Sequence, residues 1–439
     1  MKKTALAILS ICAVAANAAD IGRVIVRQQW PWSTKINVEF ELSGVSASAP
    51  ADISLRCYNG ATEIPAATVE AALSGARHGL TSGGTCTVSL DPAVLFDAGT
   101  KTVPDFRVTV SASATSATDN EVIYKIIDIA TGDTTNLRRA DFYDNPQKYG
   151  AYVTSLVALG ATNEPSNVFI WTGVTNNFDY MSTKLVMRKI KATNVEWPYG
   201  SASSLTTARL TNDYWIGVFP FTQAQFYTLK GSYGGGFTNG ETYPNHERYP
   251  VSGIAWRDFG GTTSNGWPVT AADAVSSGST FGLLSSRSGL IFNFPTEMQW
   301  EFAARGGLSD SYQGYSDVKS VAWYRSNAGS SPMEVGRKKP NAFGLYDMLG
   351  NVNEWCRDWY AGALPTGTEQ TLVDDPGATE GESGAYASAN LNTTNPQRVA
   401  RGGYYDSATG APPHVYVRAY KKTNEANNTY GLRLWAIER

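Results

Sequence analysis

The chain has 439 residues, with 36 basic and 39 acidic side chains, 3 His and 4 Cys. That length corresponds to roughly two or three domains. A formal charge of −3 and a pI near 5.8 give no basic footprint, which argues against nucleic acid as a partner. The scarcity of His and Cys narrows metal, thiol and imidazole-base chemistry before any motif is read. The charged share of 17%, beside 42 Gly, 23 Tyr and 12 Trp, excludes a coiled coil or a disordered tail and describes a loop-rich protein held by aromatic side chains.

Lys2 and Lys3 precede an apolar run from Ala5 to Ala16, and Ala16-Asn17-Ala18 forms a small-residue cleavage pattern. Residues 1–19 read as a bacterial secretory signal peptide, too short to span a membrane. The protein is therefore expected to be secreted or periplasmic. Ile11 directly before Cys12 speaks against a lipid-bearing cysteine. No later run reaches the roughly 18 apolar residues of a spanning helix.

Residues 20–130 read as a small β-sandwich. Val24–Val26, Ile36–Leu42, Phe106–Val110 and Val122–Ile127 alternate or run β-branched, separated by turn signals such as Asn59-Gly60 and Ser82-Gly83-Gly84. Cys57 and Cys86 lie in two such strand-like runs, and export permits a disulfide, so the two are expected to be bonded; two separate buried thiols are the alternative. Cys356 is left over in an aromatic-rich run and reads as a buried thiol. Residues 131–180 look like a polar connection, and residues 181–439 like a single domain. Two short helices start at capping boxes, Thr222 with Gln225 and Thr296 with Gln299. The second carries Trp300, Phe302 and Ala303 and stops at Arg305-Gly306-Gly307. Phosphate-loop, nucleophile-elbow and HExxH motifs are not found.

Several blocks then occur in a telling order. They are Phe294-Pro295-Thr296-Glu297-Met298-Gln299-Trp300-Glu301-Phe302-Ala303-Ala304-Arg305-Gly306-Gly307, Pro340-Asn341-Ala342-Phe343-Gly344-Leu345-Tyr346-Asp347-Met348-Leu349-Gly350-Asn351-Val352-Asn353-Glu354-Trp355-Cys356, Arg401-Gly402-Gly403 and Gly431-Leu432-Arg433-Leu434. Phe221–Phe226 and Pro250–Trp256 add weaker matches upstream. This stretch resembles the formylglycine-generating enzyme, or sulfatase-modifying factor, family over most of residues 185–439. The resemblance implies an α+β chain: a C-type-lectin-like formylglycine-generating-enzyme fold of short helices, small sheets and long ordered loops, preceded by the small all-β sandwich.

The resemblance also implies chemistry. Family enzymes oxidise a substrate cysteine with two copper-binding cysteines just after the Arg-Gly-Gly block. Here Ser407 stands near the first position, and Pro412 or His414 near the second. A hydroxyl with a lone imidazole does not replace two thiolates as a Cu(I) site. A related branch uses a three-His iron site on a helical domain, whereas His78, His246 and His414 are scattered here. No copper or iron site is expected. The family's structural Ca²⁺ maps onto Asp347, Gly350, Val352 and Glu354, a mixed set of carboxylates and carbonyls that suits a hard cation; a second calcium site is not recognisable in Ser326–Val335.

Three functional readings stay open. The first is a non-catalytic binding module for a protein, peptide or glycan. Its face would be formed by Tyr404, Tyr405, Asp406, Ser407, His414, Tyr416 and Arg418, a mix of rigid aromatics and adaptable polar groups. Some family relatives are ligand-binding proteins diversified at this segment. The second is an oxidoreductase of the formylglycine-generating or non-haem iron family acting by a different residue set, with Ser407, His414 and Arg418 as candidates beside Asp406. The third is a structural surface protein.

Overall fold

The computed structural model describes residues 19–28, 34–96, 103, 105–201, 204–232, 246–260, 275–360, 372–374, 397–407 and 412–439. The expected signal peptide lies outside them, apart from Ala19. Two compact units emerge. One comprises residues up to Val122 together with Leu137–Gly150; the other comprises Ile123–Asn136 and Ala151–Arg439.

The first unit holds the expected β-sandwich. One sheet runs in the order Asp20–Gln28, Ile36–Ser43, Gly84–Leu90, Leu73–Ser74, and the other in the order Thr62–Glu63, Ala51–Asn59, Phe106–Ala114. Period-two alternation decides which side chains enter the core. Ile36, Val38, Phe40 and Leu42 point inward from one strand, and Ala51, Ile53, Leu55 and Cys57 from another. The Asn59-Gly60 turn forms as expected, with Gly60 at φ +61°.

The Cys57–Cys86 disulfide does not form: both are free thiols. Cys57 pairs with Val108 in one sheet and Cys86 with Phe40 in the other. Each fills its own sheet's inward position as a small apolar side chain, and burial pushes the Cys57 thiol up to about 12, far from the reactive range.

The boundary also falls elsewhere than residues 130 and 180. Val122–Asp128 was expected in the sandwich, but it is buried on both faces and pairs with Lys184–Ile190. An unbroken apolar run suits a strand inside a covered sheet rather than one with a wet face. The turn that follows presses on Arg287: a Cβ on Gly132 (φ +83°) would lie 2.2 Å from the Arg287 carbonyl oxygen. Residues 137–150 return to the first unit, burying Ala140 and Phe142. There the Asp144 carboxylate receives His78 Nδ1 at 2.6 Å and the His78 amide at 2.9 Å. Residues 151–180 are no polar connection either, since Phe169, Ile170 and Trp171 are fully buried and Ile170 bridges to Val153.

The second unit is built on a six-stranded sheet in the order Leu290–Asn293, Trp435–Glu438, Tyr214–Gly217, Lys184–Ile190, Val122–Asp128, Thr134–Arg138. A four-stranded sheet, Arg418–Lys422, Gln397–Arg401, Asn353–Trp359, Tyr430–Gly431, carries most of the candidate site. Trp171, Trp256, Trp300 and Trp355 are fully buried. Trp256 and Trp300 spend their indole N–H on the Cys356 carbonyl (2.9 Å) and Glu354 (2.6 Å), whereas that of Trp355 is buried without a partner. Among the described residues, no helix is long and apolar enough to cross a membrane.

Candidate functional site

The site is organised by the helix Glu297–Arg305. Its start is the expected capping box: Thr296 Oγ1 accepts from the Gln299 amide (3.2 Å) and Gln299 Oε1 from the Thr296 amide (2.9 Å). Gly306 closes it in the left-handed conformation, φ +61°. Trp300, Phe302 and Ala303 are buried as expected, but so is the charged stripe Glu297, Glu301, Arg305, repeating every fourth residue.

These charges are paired by long-range partners. Arg401, fully buried at the end of its strand, places one guanidinium nitrogen 2.9 Å from Glu297 and the other against Glu301, and also donates to the Val415 carbonyl at 3.0 Å. Arg418 forks onto Glu297 at 2.6 and 3.0 Å. Arg305 donates to Glu301 at 2.7 and 2.9 Å and to the Gly200 carbonyl at 2.6 Å. Burial alone would lower the Arg401 pKa, but Glu301 and Glu297 outweigh it and hold the guanidinium above its ordinary range. Behind the helix start, Asp358 accepts from the Glu297 amide at 2.5 Å. Burial first, and then the Glu297 carboxylate, raise the Asp358 carboxyl to about 6.

The loop expected to hold calcium is closed in another way. Glu354 is buried, and both its oxygens are taken: Arg433 approaches at 2.8 to 3.1 Å, and Trp300 Nε1 donates to Oε2 at 2.6 Å. Arg433 spends its remaining donors on the Gly217, Val218 and Tyr346 carbonyls. Asp347 accepts the Gly336 amide at 2.6 Å on one oxygen, while the other is buried without a partner. Of the two expected carboxylate ligands, Asp347 keeps a buried oxygen without a partner, whereas both oxygens of Glu354 serve an internal ion pair and hydrogen bond, so Glu354 as held here is not free to ligate a cation. Burial raises the Asp347 carboxyl to about 6, with Glu354 adding to the rise and the Gly336 amide and Arg433 opposing it. Gly350 is fixed by geometry, since at φ +76° an added Cβ would sit 1.9 Å from the Trp323 carbonyl oxygen.

The predicted ligand segment divides. Tyr405 is buried and Tyr404 half-buried, their rings edge-on at 6.1 Å. Asp406 faces Arg325 at 3.7 Å. Ser407 is half-buried, and residues 408–411 lie outside the described residues. His414 is stacked on Tyr312 and Tyr416, each 4.9 Å away. Arg418 serves Glu297 and lies over the Tyr360 ring at 5.0 Å, while Tyr360 stacks on Tyr420 at 4.0 Å. Asp406, His414 and Arg418 turn to different partners, and His414 Nδ1 is buried with no hydrogen bond. Sequence reading missed Tyr312, which stacks on His414, and the stacked pair Tyr360 and Tyr420, which meets the segment through Arg418. Cys356 is the expected buried thiol, with burial holding its pKa well above the ordinary value.

Residues 168–436 match the sulfatase-modifying factor enzyme 1-like domain. The chain belongs to that family. Among similar sulfatase-modifying factor relatives, the formylglycine-generating enzyme of Thermomonospora curvata is 34% identical over 103 residues, 20% of this chain and 34% of that one. The chaperone protein LppX of Paenibacillus barcinonensis is 28% identical over 199 residues, 37% of this chain and 68% of that one. The solved Treponema denticola variable protein 1 is 25% identical, with a TM-score of 0.44, covering 57% of this chain and 95% of that one. The aligned stretch thus spans about a third of the formylglycine-generating enzyme, and that enzyme's activity does not transfer with the family.

Proposed function

We propose that this sulfatase-modifying-factor-like protein is an exported, non-catalytic ligand-binding module. The observation that carries the reading is what stands at the family's two thiol positions. Ser407 stands near the first and Pro412 or His414 near the second, none of them a thiol, with His414 stacked on two tyrosines and the neighbouring arginines spent on buried carboxylates. Catalysis by the family mechanism needs two thiolates to hold Cu(I), and the remaining nearby thiol, Cys356, is buried and far from ionisation. What is left is a rigid aromatic surface, with Tyr404, Tyr416, Tyr360 and Tyr420 partly open to solvent and short polar side chains between them. Tyrosines of this kind give contact area at low entropic cost.

The test is a glycan and peptide array probed with the full chain, beside Tyr416→Ala and Tyr420→Ala variants. A ligand whose binding falls tenfold or more in either variant supports the reading. Ligand binding untouched by both variants, or no binding at all, overturns it.

A further inference from the structure

His414 sits where its Nδ1 has no acceptor for a second ring proton. Tyr416 stacks on the ring at 4° and Tyr312 at 25°, both with centroids 4.9 Å away. Nδ1 is buried with no partner. A neutral imidazole can leave that atom a bare lone pair, whereas an imidazolium must place an N–H there. The titratable rings stacked on it are Tyr312 from the loop after the Glu297–Arg305 helix and Tyr416 from its own segment, and Tyr312 in turn feels Tyr416 and Tyr324. Among the described residues, no carboxylate is hydrogen-bonded or ion-paired to the imidazole. Two effects compete on protonation. The tyrosine faces attract a cation, while the buried Nδ1 of the half-buried ring lacks an acceptor. The orphaned Nδ1 sets the direction, and burial accordingly lowers the His414 pKa from its ordinary value.

The stretch of chain that carries the ring is short and is also held by main-chain contacts. Val417 donates to the His414 carbonyl at 3.0 Å, Val415 to the Ser311 carbonyl at 3.3 Å, and Arg401 holds the Val415 carbonyl at 3.0 Å. Val415 and Pro413 are buried. We propose that His414 is a pH-sensitive latch: neutral, it clamps residues 412–417 against Tyr312, and protonated, it leaves the stack and the segment opens. The sign follows from linkage. A lowered pKa in the closed form means that closure is fully favoured above the ordinary value of 6.5 and is lost as pH falls from there toward the lowered one. Across that window the opening equilibrium grows by at most about tenfold per pH unit. Control of ligand binding by the latch rests on the reading of this face as the binding surface; the opening itself does not.

Hydrogen exchange of the 412–417 segment in the full chain tests this directly, taken as the ratio of wild type to His414→Phe at each pH. The ratio cancels the intrinsic pH dependence, and phenylalanine keeps a stackable ring that cannot ionise. The ratio is expected to rise as pH falls from about 7 to about 5, by no more than about tenfold per pH unit, and the His414 ring signal to titrate below the ordinary value. Tyr416→Leu, which removes one stacked ring, should move that titration back toward it and shrink the rise. A flat ratio, or titration of His414 at or above the ordinary value with the stack intact, overturns the latch. A ligand found to bind elsewhere sinks the binding reading and leaves the exchange result standing.

Discussion

At the scale of single residues, the second unit keeps several buried charges and treats them unequally. Asp347 is the least well provided, with one oxygen orphaned and its carboxyl raised to about 6. A raised carboxyl pKa stabilises the fold below the unfolded value and loses that contribution as pH rises through the folded one. Stability should therefore fall between about pH 4 and pH 6, by up to about 3 kcal/mol from this residue. Asp347→Asn, which can keep the Gly336 hydrogen bond, should flatten that slope and raise Tm at neutral pH. Thermal melts of both proteins across pH check it. The same melts with calcium or EDTA address the loop. Because Glu354 is committed to Arg433, Tm should not depend on calcium. A calcium-dependent rise that disappears in Asp347→Asn would show that the orphaned oxygen is a cation ligand after all.

At the scale of elements, the Glu297–Arg305 helix shows how far local sequence reaches. Its start and stop were legible, because a capping box and a C-terminal glycine act within a few residues. Thr296→Ala should cost about 1 kcal/mol, read as a small drop in denaturation midpoint. The burial of Glu297 and Glu301 was not legible. Their partner Arg401 lies about a hundred residues away, and only the fold brings it there. Breaking these pairs should cost more than the cap. Arg433→Met leaves Glu354 buried and unpaired and should cost about 3 to 5 kcal/mol, part of which returns in the double variant with Glu354→Gln. Arg401→Lys keeps the charge but loses the two-pronged fork, so it should not restore wild-type stability.

At the scale of the whole molecule, the family blocks fixed the identity of the larger unit, because they form its buried framework of tryptophans, glycines and charge pairs. The boundaries were harder to read. The strand Val122–Asp128 and the run Phe169–Trp171 are apolar enough for either unit, and pairing across the sheet decides their place. The Cys57–Cys86 pairing failed for a related reason: inward-facing strand positions are open to any small apolar side chain, and a thiol satisfies them without a bond. The ligand segment was legible as a surface but not as a stack, since Tyr312 joins His414 from more than a hundred residues upstream. The central claim is that the family framework persists here without the family's chemistry. The most direct measurement incubates the full chain with Cu(I), oxygen and a cysteine-containing peptide and reads the peptide by mass spectrometry. The account predicts an unmodified cysteine, whereas conversion to formylglycine would contradict it.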